Sequence, residues 1–176
     1  MKGLKKALLF GLFLLIGLII LSLWYSITFS MDVVQAYDVN DPTLEKKLLI
    51  ATQGSDFKNA VTSAVVERYK KNSIYIKVID VTSLDTINPK PFNAILIIHT
   101  WEYWKPPKAV STFTERAKEY HDKMYFLATS GDGNYKIDGV DALSGESILG
   151  NAPFFVNKIN HKLGTMLGIK DPPISN

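Results

Sequence analysis

The stretch Ala94-Ile95-Leu96-Ile97-Ile98-His99-Thr100-Trp101-Glu102-Tyr103-Trp104-Lys105-Pro106-Pro107-Lys108-Ala109-Val110 decides the fold. Its first five residues are apolar whichever way they face, the pattern of a strand buried on both sides of a parallel sheet. Polar and aromatic residues then interrupt the run. Two prolines follow, after which Ala109, Val110, Phe113, Ala117 and Tyr120 recur at helical spacing. Proline in a first helical turn is tolerated, because its missing N–H would have no intrahelical partner there.

The same strand–loop–helix order extends in both directions. Upstream, Leu48-Leu49-Ile50-Ala51 reads as a short buried strand that breaks at Thr52-Gln53-Gly54-Ser55-Asp56. Phe57, Ala60, Val61, Ala64, Val65 and Tyr69 then keep helical spacing, with Ser55 or Asp56 as N-cap and Lys70-Lys71 at the end that favours cations. Ile74, Ile76 and Val78 alternate, which predicts a second strand to about Val81, and Asn88-Pro89-Lys90-Pro91 reads as a linker. Downstream, Met124–Ala128 is a fourth strand, followed by Thr129-Ser130-Gly131-Asp132-Gly133. A weaker fifth strand is expected near Val140–Leu143. A last helix is expected from Asn151 or Ala152, carrying Phe155, Val156, Ile159, Leu163, Met166 and Leu167.

Such alternation predicts an α/β, doubly wound parallel sheet with helices on both faces. Ligands of such sheets bind at the carboxyl ends of the strands, where the strand order reverses. Three loops lie there: Thr52–Asp56, Thr100–Lys105 and Thr129–Tyr135.

The N-terminus differs in kind. Ala7–Met31 contains no charge and no proline. As a helix it would span roughly 37 Å, against a hydrocarbon core of about 30 Å. Trp24 and Tyr25 stand where an interfacial aromatic belt would be. Lys2, Lys5 and Lys6 precede the span and acidic residues follow it, so the positive-inside rule predicts a cytoplasmic N-terminus and an extracytoplasmic body. The run exceeds the ~7–15 residues of a signal-peptide h-region. Val34-Gln35-Ala36 is nevertheless a passable cleavage site, so a signal anchor and a cleaved signal both stand, the anchor being preferred. The domain plan is an anchor at 1–31, a polar tether at 32–45, the α/β domain at 46–170 and a tail at 171–176.

Charge supports that division. The formal +3 comes from 20 basic and 17 acidic residues, and the three N-terminal lysines account for the excess. The neutral body argues against a nucleic-acid partner. The chain has no cysteine, which excludes disulfides, thiolate catalysis, zinc–thiolate sites and a lipoprotein anchor. No nucleophile elbow, P-loop or histidine pair at metal spacing occurs. Asp138 and Asp141 lack the ligand density of a calcium loop, so no metal is expected. His99 and Glu102 lie near the expected cleft. A strand-end histidine satisfied by backbone and a solvated loop carboxylate are the ordinary readings of both.

The three loops, in their order and spacing, resemble those of the flavodoxin-like superfamily over about residues 47–167. Ile97–Val110 is similar to the aromatic-bearing loop, proline and helix of that family. Ala128–Gly133 is similar to its glycine-bearing third flavin loop. The resemblance implies strand order 2-1-3-4-5 and an FMN site. Thr52, Gln53, Gly54 and Ser55 would cradle the phosphate. Thr100, Trp101, Tyr103 and Trp104 would stack the ring, and Ser130, Gly131 and Gly133 would close the third loop. The family's first loop tends to read Thr-Gly-Asn-Thr; Gln53-Gly54-Ser55-Asp56 keeps only the glycine. Asp56 either faces the phosphate or caps the helix. The aromatic residues either stack flavin, pack over the sheet edge or rest against lipid headgroups, and the two glycines either admit a ligand or make a turn. Ser144-Gly145 lacks the Ala-Thr of a flavin-transfer motif, so covalent flavin is not expected.

Three functions follow as expectations. One is a membrane-anchored FMN protein that transfers electrons, with the bilayer and a redox protein as partners. Another is a flavin-free binding or assembly module at the extracytoplasmic membrane surface. The remaining one is a hydrolase or transferase using the same cleft.

Overall fold

A computed structural model describes residues 2–29, 31–102, 104–135 and 137–169. The expectations for Tyr103, for the side chain of Tyr25 and for the tail at 171–176 fall outside the described residues. The chain divides into two compact units, Met1–Met31 and Asp32–Asn176.

The first unit is a single helix, α1 (Lys2–Phe29). Its segment Gly3–Trp24 is long and apolar enough to cross a membrane, and none of it is buried against protein. A helix that is apolar on every face has no stable place in water, a property that a membrane anchor and a signal sequence share.

The second unit is a six-stranded sheet covered on both faces. β1 (Tyr37–Val39) is followed by β2 (Lys46–Thr52), α2 (Asp56–Tyr69), β3 (Ile74–Asp80) and β4 (Ala94–Thr100). Then come α3 (Lys108–Arg116), β5 (Met124–Thr129), β6 (Ala142–Gly145) and α4 (Ala152–Leu167). The spatial order is β1-β3-β2-β4-β5-β6. The pairs among β2–β6 are parallel, and β1 adds antiparallel outside β3.

This corrects the expectation of a five-stranded sheet in order 2-1-3-4-5. The segment read as a free tether supplies a sixth strand. Tyr37, Asp38 and Val39 pair with Val78, Lys77 and Ile76. The Val34 N–H donates to the buried Asp80 carboxylate at 2.9 Å, and the Asn40 amide donates to the Ile74 carbonyl at 2.8 Å. Backbone hydrogen bonding builds this strand, so an apolar pattern does not announce it.

The strand sequences explain the layers. Alternate residues of β2 and β4 serve opposite cores. Leu48, Ile50, Leu96 and Ile98 pack under α2 and α4 with Phe57, Val61, Val65, Phe155, Ile159 and Leu163. Leu49, Ala51, Ile95 and Ile97 pack on the other face with Val110, Phe113, Val81 and Leu84. Full burial of each Leu, Ile, Val or Phe side chain is worth about 1.5–3 kcal/mol, which makes these two cores the main stabilising term.

One crossover carries no α-helix, and one helix is shorter than its apolar spacing suggested. The β3–β4 crossover uses only a 3₁₀ turn at Val81–Thr86, with Asp80 accepting from Thr82 as its N-cap. α3 stops at Arg116, and Tyr120 lies in a second 3₁₀ turn, Lys118–Lys123. The Arg116 guanidinium ties the two short elements together by donating to the carbonyls of Leu84 and Ile87 at 2.7 and 2.6 Å.

Candidate functional site

The strand order reverses between β2 and β4, so the crevice between their carboxyl ends is where this architecture places ligands. The three expected loops do meet at that edge, but the crevice is largely occupied by the chain itself.

The first loop is closed by backbone. The Gly54 N–H donates to the Asp32 carbonyl at 2.7 Å, and the Asp32 N–H returns a bond to the Gly54 carbonyl at 3.1 Å. The approach is so close that a Cβ on Gly54 would lie 2.7 Å from the Asp32 Cβ. Gln53 spans the crevice: its N–H donates to the Ile98 carbonyl at 3.3 Å, and its Oε1 accepts from the Thr100 N–H at 2.7 Å. The Thr52 hydroxyl turns to the Gln53 carbonyl at 3.0 Å. Ser55 is the helix cap, accepting from the Lys58 N–H at 3.3 Å, while Asp56 is an exposed first-turn residue.

Lys58 was not singled out from sequence. Its side chain is fully buried, with Nζ 3.4 Å from the Ser55 hydroxyl. Burial pushes its pKa down to about 8, and the nearby Glu102 carboxylate acts in the opposite sense. A signal was present: positions 58, 62, 65 and 69 form one helical stripe, and Thr62, Val65 and Tyr69 are buried.

The second loop leaves polar groups unsatisfied. The Trp101 N–H donates to the Thr129 carbonyl at 2.7 Å, and the Thr100 and Thr129 hydroxyls meet at 3.0 Å. The Trp101 ring stacks on Tyr135, with centroids 5.3 Å apart and an interplanar angle of 24°. Its buried indole N–H has no hydrogen-bond partner among the described residues, and neither has either ring nitrogen of His99. The backbone partner expected for His99 is therefore at most the Thr100 amide, in a geometry too poor for a hydrogen bond. Burial pushes its pKa down to about 4; the Thr100 backbone opposes this without making an aligned bond, and the Lys58 cation reinforces it. His99 is thus a neutral imidazole at physiological pH.

Beyond Trp101 the loop folds into a tight hairpin. Glu102 and Lys105 exchange both backbone bonds, at 2.9 and 3.0 Å. Trp104 sits at its tip with φ +60° and is 72 % exposed.

The third loop is a turn of its own. The Ser130 N–H donates to the Gly145 carbonyl at 3.1 Å and its hydroxyl to Asp132 at 2.9 Å. That bond, with the Asn134 N–H, holds the Asp132 carboxyl below its ordinary range. Gly133 has φ +71°, and a Cβ there would meet the Gly145 backbone at 3.1 Å, so its close approach is to the chain's own strand. Gly131 is exposed with open space around it.

These positions bear on FMN directly. A phosphate dianion needs free N–H groups at the helix N-terminus. The Gly54 N–H and the Ser55 hydroxyl both have intramolecular partners, and the carboxylates Asp32 and Asp56 flank them. The phosphate subsite in this conformation does not fit the group. No set of three His, Asp or Glu side chains is placed to hold a metal ion among the described residues. Asp141 instead pairs with Lys162 at 2.5 Å. No family model matches the chain, and no curated protein matches it.

Proposed function

We propose that the chain is a membrane-anchored, flavodoxin-like domain that works without flavin, as a binding or assembly module at the extracytoplasmic membrane surface. The observation that carries the reading is the reciprocal backbone pairing of Asp32 with Gly54, which uses the N–H that a flavin phosphate would need. The strand course supports the flavodoxin-like part: with the edge strand β1 set aside, the parallel strands run β3-β2-β4-β5-β6. The three lysines before the apolar span support the orientation.

The test is a titration of the purified full-length protein in detergent with micromolar FMN, followed by flavin fluorescence. The reading expects no saturable quenching. Saturable quenching would instead support electron transfer to a redox partner. One observation favours that second reading: the Trp101–Tyr135 stack, whose indole N–H has no partner among the described residues, lies at the switch point. It requires Asp32 to leave Gly54, so FMN would then speed proteolysis near residues 32–36. Orientation is tested separately. A reporter active only in the cytoplasm, fused after Asn176, is expected to stay silent.

A further inference from the structure

The Asp32–Asn176 unit distributes its exposed apolar side chains unevenly. Among its described residues, the large apolar side chains left exposed are Val33, Tyr37, Trp104, Ile148, Leu149 and Phe154. All but Tyr37 lie at the carboxyl edge of the sheet. Val33 follows Asp32, which is bonded to Gly54 just past β2. Trp104 caps the hairpin after β4. Ile148, Leu149 and Phe154 lie between the end of β6 and the first turn of α4. Single exposed apolar residues are ordinary, but five along one edge mark a surface that something covers.

The local geometry at Trp104 strengthens the point. A left-handed backbone strains a bulky residue and persists where the surroundings impose it. Here the two Glu102–Lys105 backbone bonds impose it, and the result is an indole exposed at the tip of a turn. Trp104 is one residue from Lys105 and four from Lys108, an amphipathic grouping suited to a headgroup layer.

We propose that this edge lies in the interfacial layer of the bilayer, with Trp104, Leu149 and Phe154 entering the headgroup region. The inference rests on the membrane-anchored reading and specifies which surface of the domain meets lipid. Asp32, at this edge, follows the last helical residue of the apolar span, Phe29, by three positions. The chain leaving the span therefore enters the domain at the same edge that carries the exposed apolar residues. The mode of binding is apolar. Asp32, Asp56, Glu102, Asp132 and Glu146 share this edge with Lys105 and Lys108, so anionic headgroups gain no attraction from it. Zwitterionic lipid is sufficient.

The experiment uses the full chain in phosphatidylcholine vesicles whose acyl chains carry bromine, a short-range quencher of tryptophan. Emission of a Trp24→Phe variant is compared with that of a Trp24→Phe/Trp104→Phe variant. The difference isolates Trp104, and phenylalanine keeps the site apolar. The expected difference spectrum is blue-shifted and quenched by the brominated lipid. Adding salt should leave the quenching unchanged, and phosphatidylglycerol should not strengthen it. A red-shifted, unquenched difference overturns the inference, as does quenching that appears only with anionic lipid. Trp24 itself is read by comparing wild type with Trp24→Phe. If Trp24 is quenched and Trp104 is not, the anchor stands and only the docking of this edge fails. If Trp24 is not quenched, the membrane reading falls with it. As a second measurement, amide hydrogen exchange at residues 147–151 is expected to slow at least several-fold in vesicles relative to detergent, and equal rates would count against docking.

Discussion

The loops on the two sides of the switch point use their polar groups in opposite ways. The Gln53–Ser55 loop is bonded inward: Gly54 pairs with Asp32, Gln53 bridges to Ile98 and Thr100, and Ser55 caps α2. The Trp101–Lys105 loop is fixed at its base, where the Trp101 N–H donates to Thr129 and the ring stacks on Tyr135. Beyond that, Glu102 and Lys105 bond only each other's backbone, the Trp101 indole N–H has no partner among the described residues, and Trp104 is exposed. Both loops sit at positions where this class of sheet binds ligands. The difference teaches that strand order creates a crevice, while the course of the remaining chain decides whether it stays open. Here the segment before β1 runs across the first loop, while the second loop keeps an exposed tip at Trp104.

The largest expected effect concerns the buried wall of the second loop. The folded pKa of His99, about 4, lies below its ordinary 6.5. Between these values the unfolded chain binds the extra proton, so stability is complete above pH 6.5 and falls as pH drops toward 4. The loss reaches up to about 3 kcal/mol. Chemical denaturation across that range should show the decline, and His99→Leu should flatten it. An equal decline in the variant would place its origin elsewhere. The alkaline side works in the same direction. Lys58, at about 8, favours the unfolded state less as pH rises from 8 toward 10.5, and Lys58→Met should remove that dependence.

Next in size is the closure of the first loop. Gly54→Ala would press a methyl group against Asp32 and should cost about 1–3 kcal/mol. Limited proteolysis near residues 32–36 should accelerate at the same time. Unchanged stability together with unchanged proteolysis would break the contrast between the loops. Asp80→Ala removes the acceptor for the Val34 and Thr82 N–H groups and should cost a comparable 1–3 kcal/mol or so. The smallest effect belongs to the hairpin tip. Trp104→Gly relieves the left-handed backbone and should be neutral or stabilising by up to about 1 kcal/mol in detergent. A marked loss of stability would mean that the indole packs on the domain after all.

Much of the fold was legible in the sequence because buried parallel strands write themselves as apolar runs. Leu48–Ala51, Ala94–Ile98 and Met124–Ala128 all lie inside observed strands. Phe155, Ile159 and Leu163 likewise announce α4 by their four-residue spacing, and α4 ends at Gly168 in the left-handed conformation. What escaped was held by backbone rather than side chains. β1 is three residues long, mostly exposed, and secured by pairing with β3. The site was legible as a location and not as a state. The loops could be placed from the strand ends. That Asp32 covers Gly54, more than twenty residues downstream, depends on a backbone contact that no local pattern encodes. Lys58 was missed for a related reason, since a lysine among helix residues reads as surface until its stripe is compared with the buried one.

The central claim is that the first loop is closed by its own chain. The most direct measurement is the amide resonance and exchange rate of Gly54 in the full-length protein, recorded with and without micromolar FMN. The closed-loop account predicts a protected Gly54 amide that neither shifts nor changes its exchange rate when FMN is added. A fast-exchanging Gly54 amide, or one that shifts saturably with FMN, would contradict it.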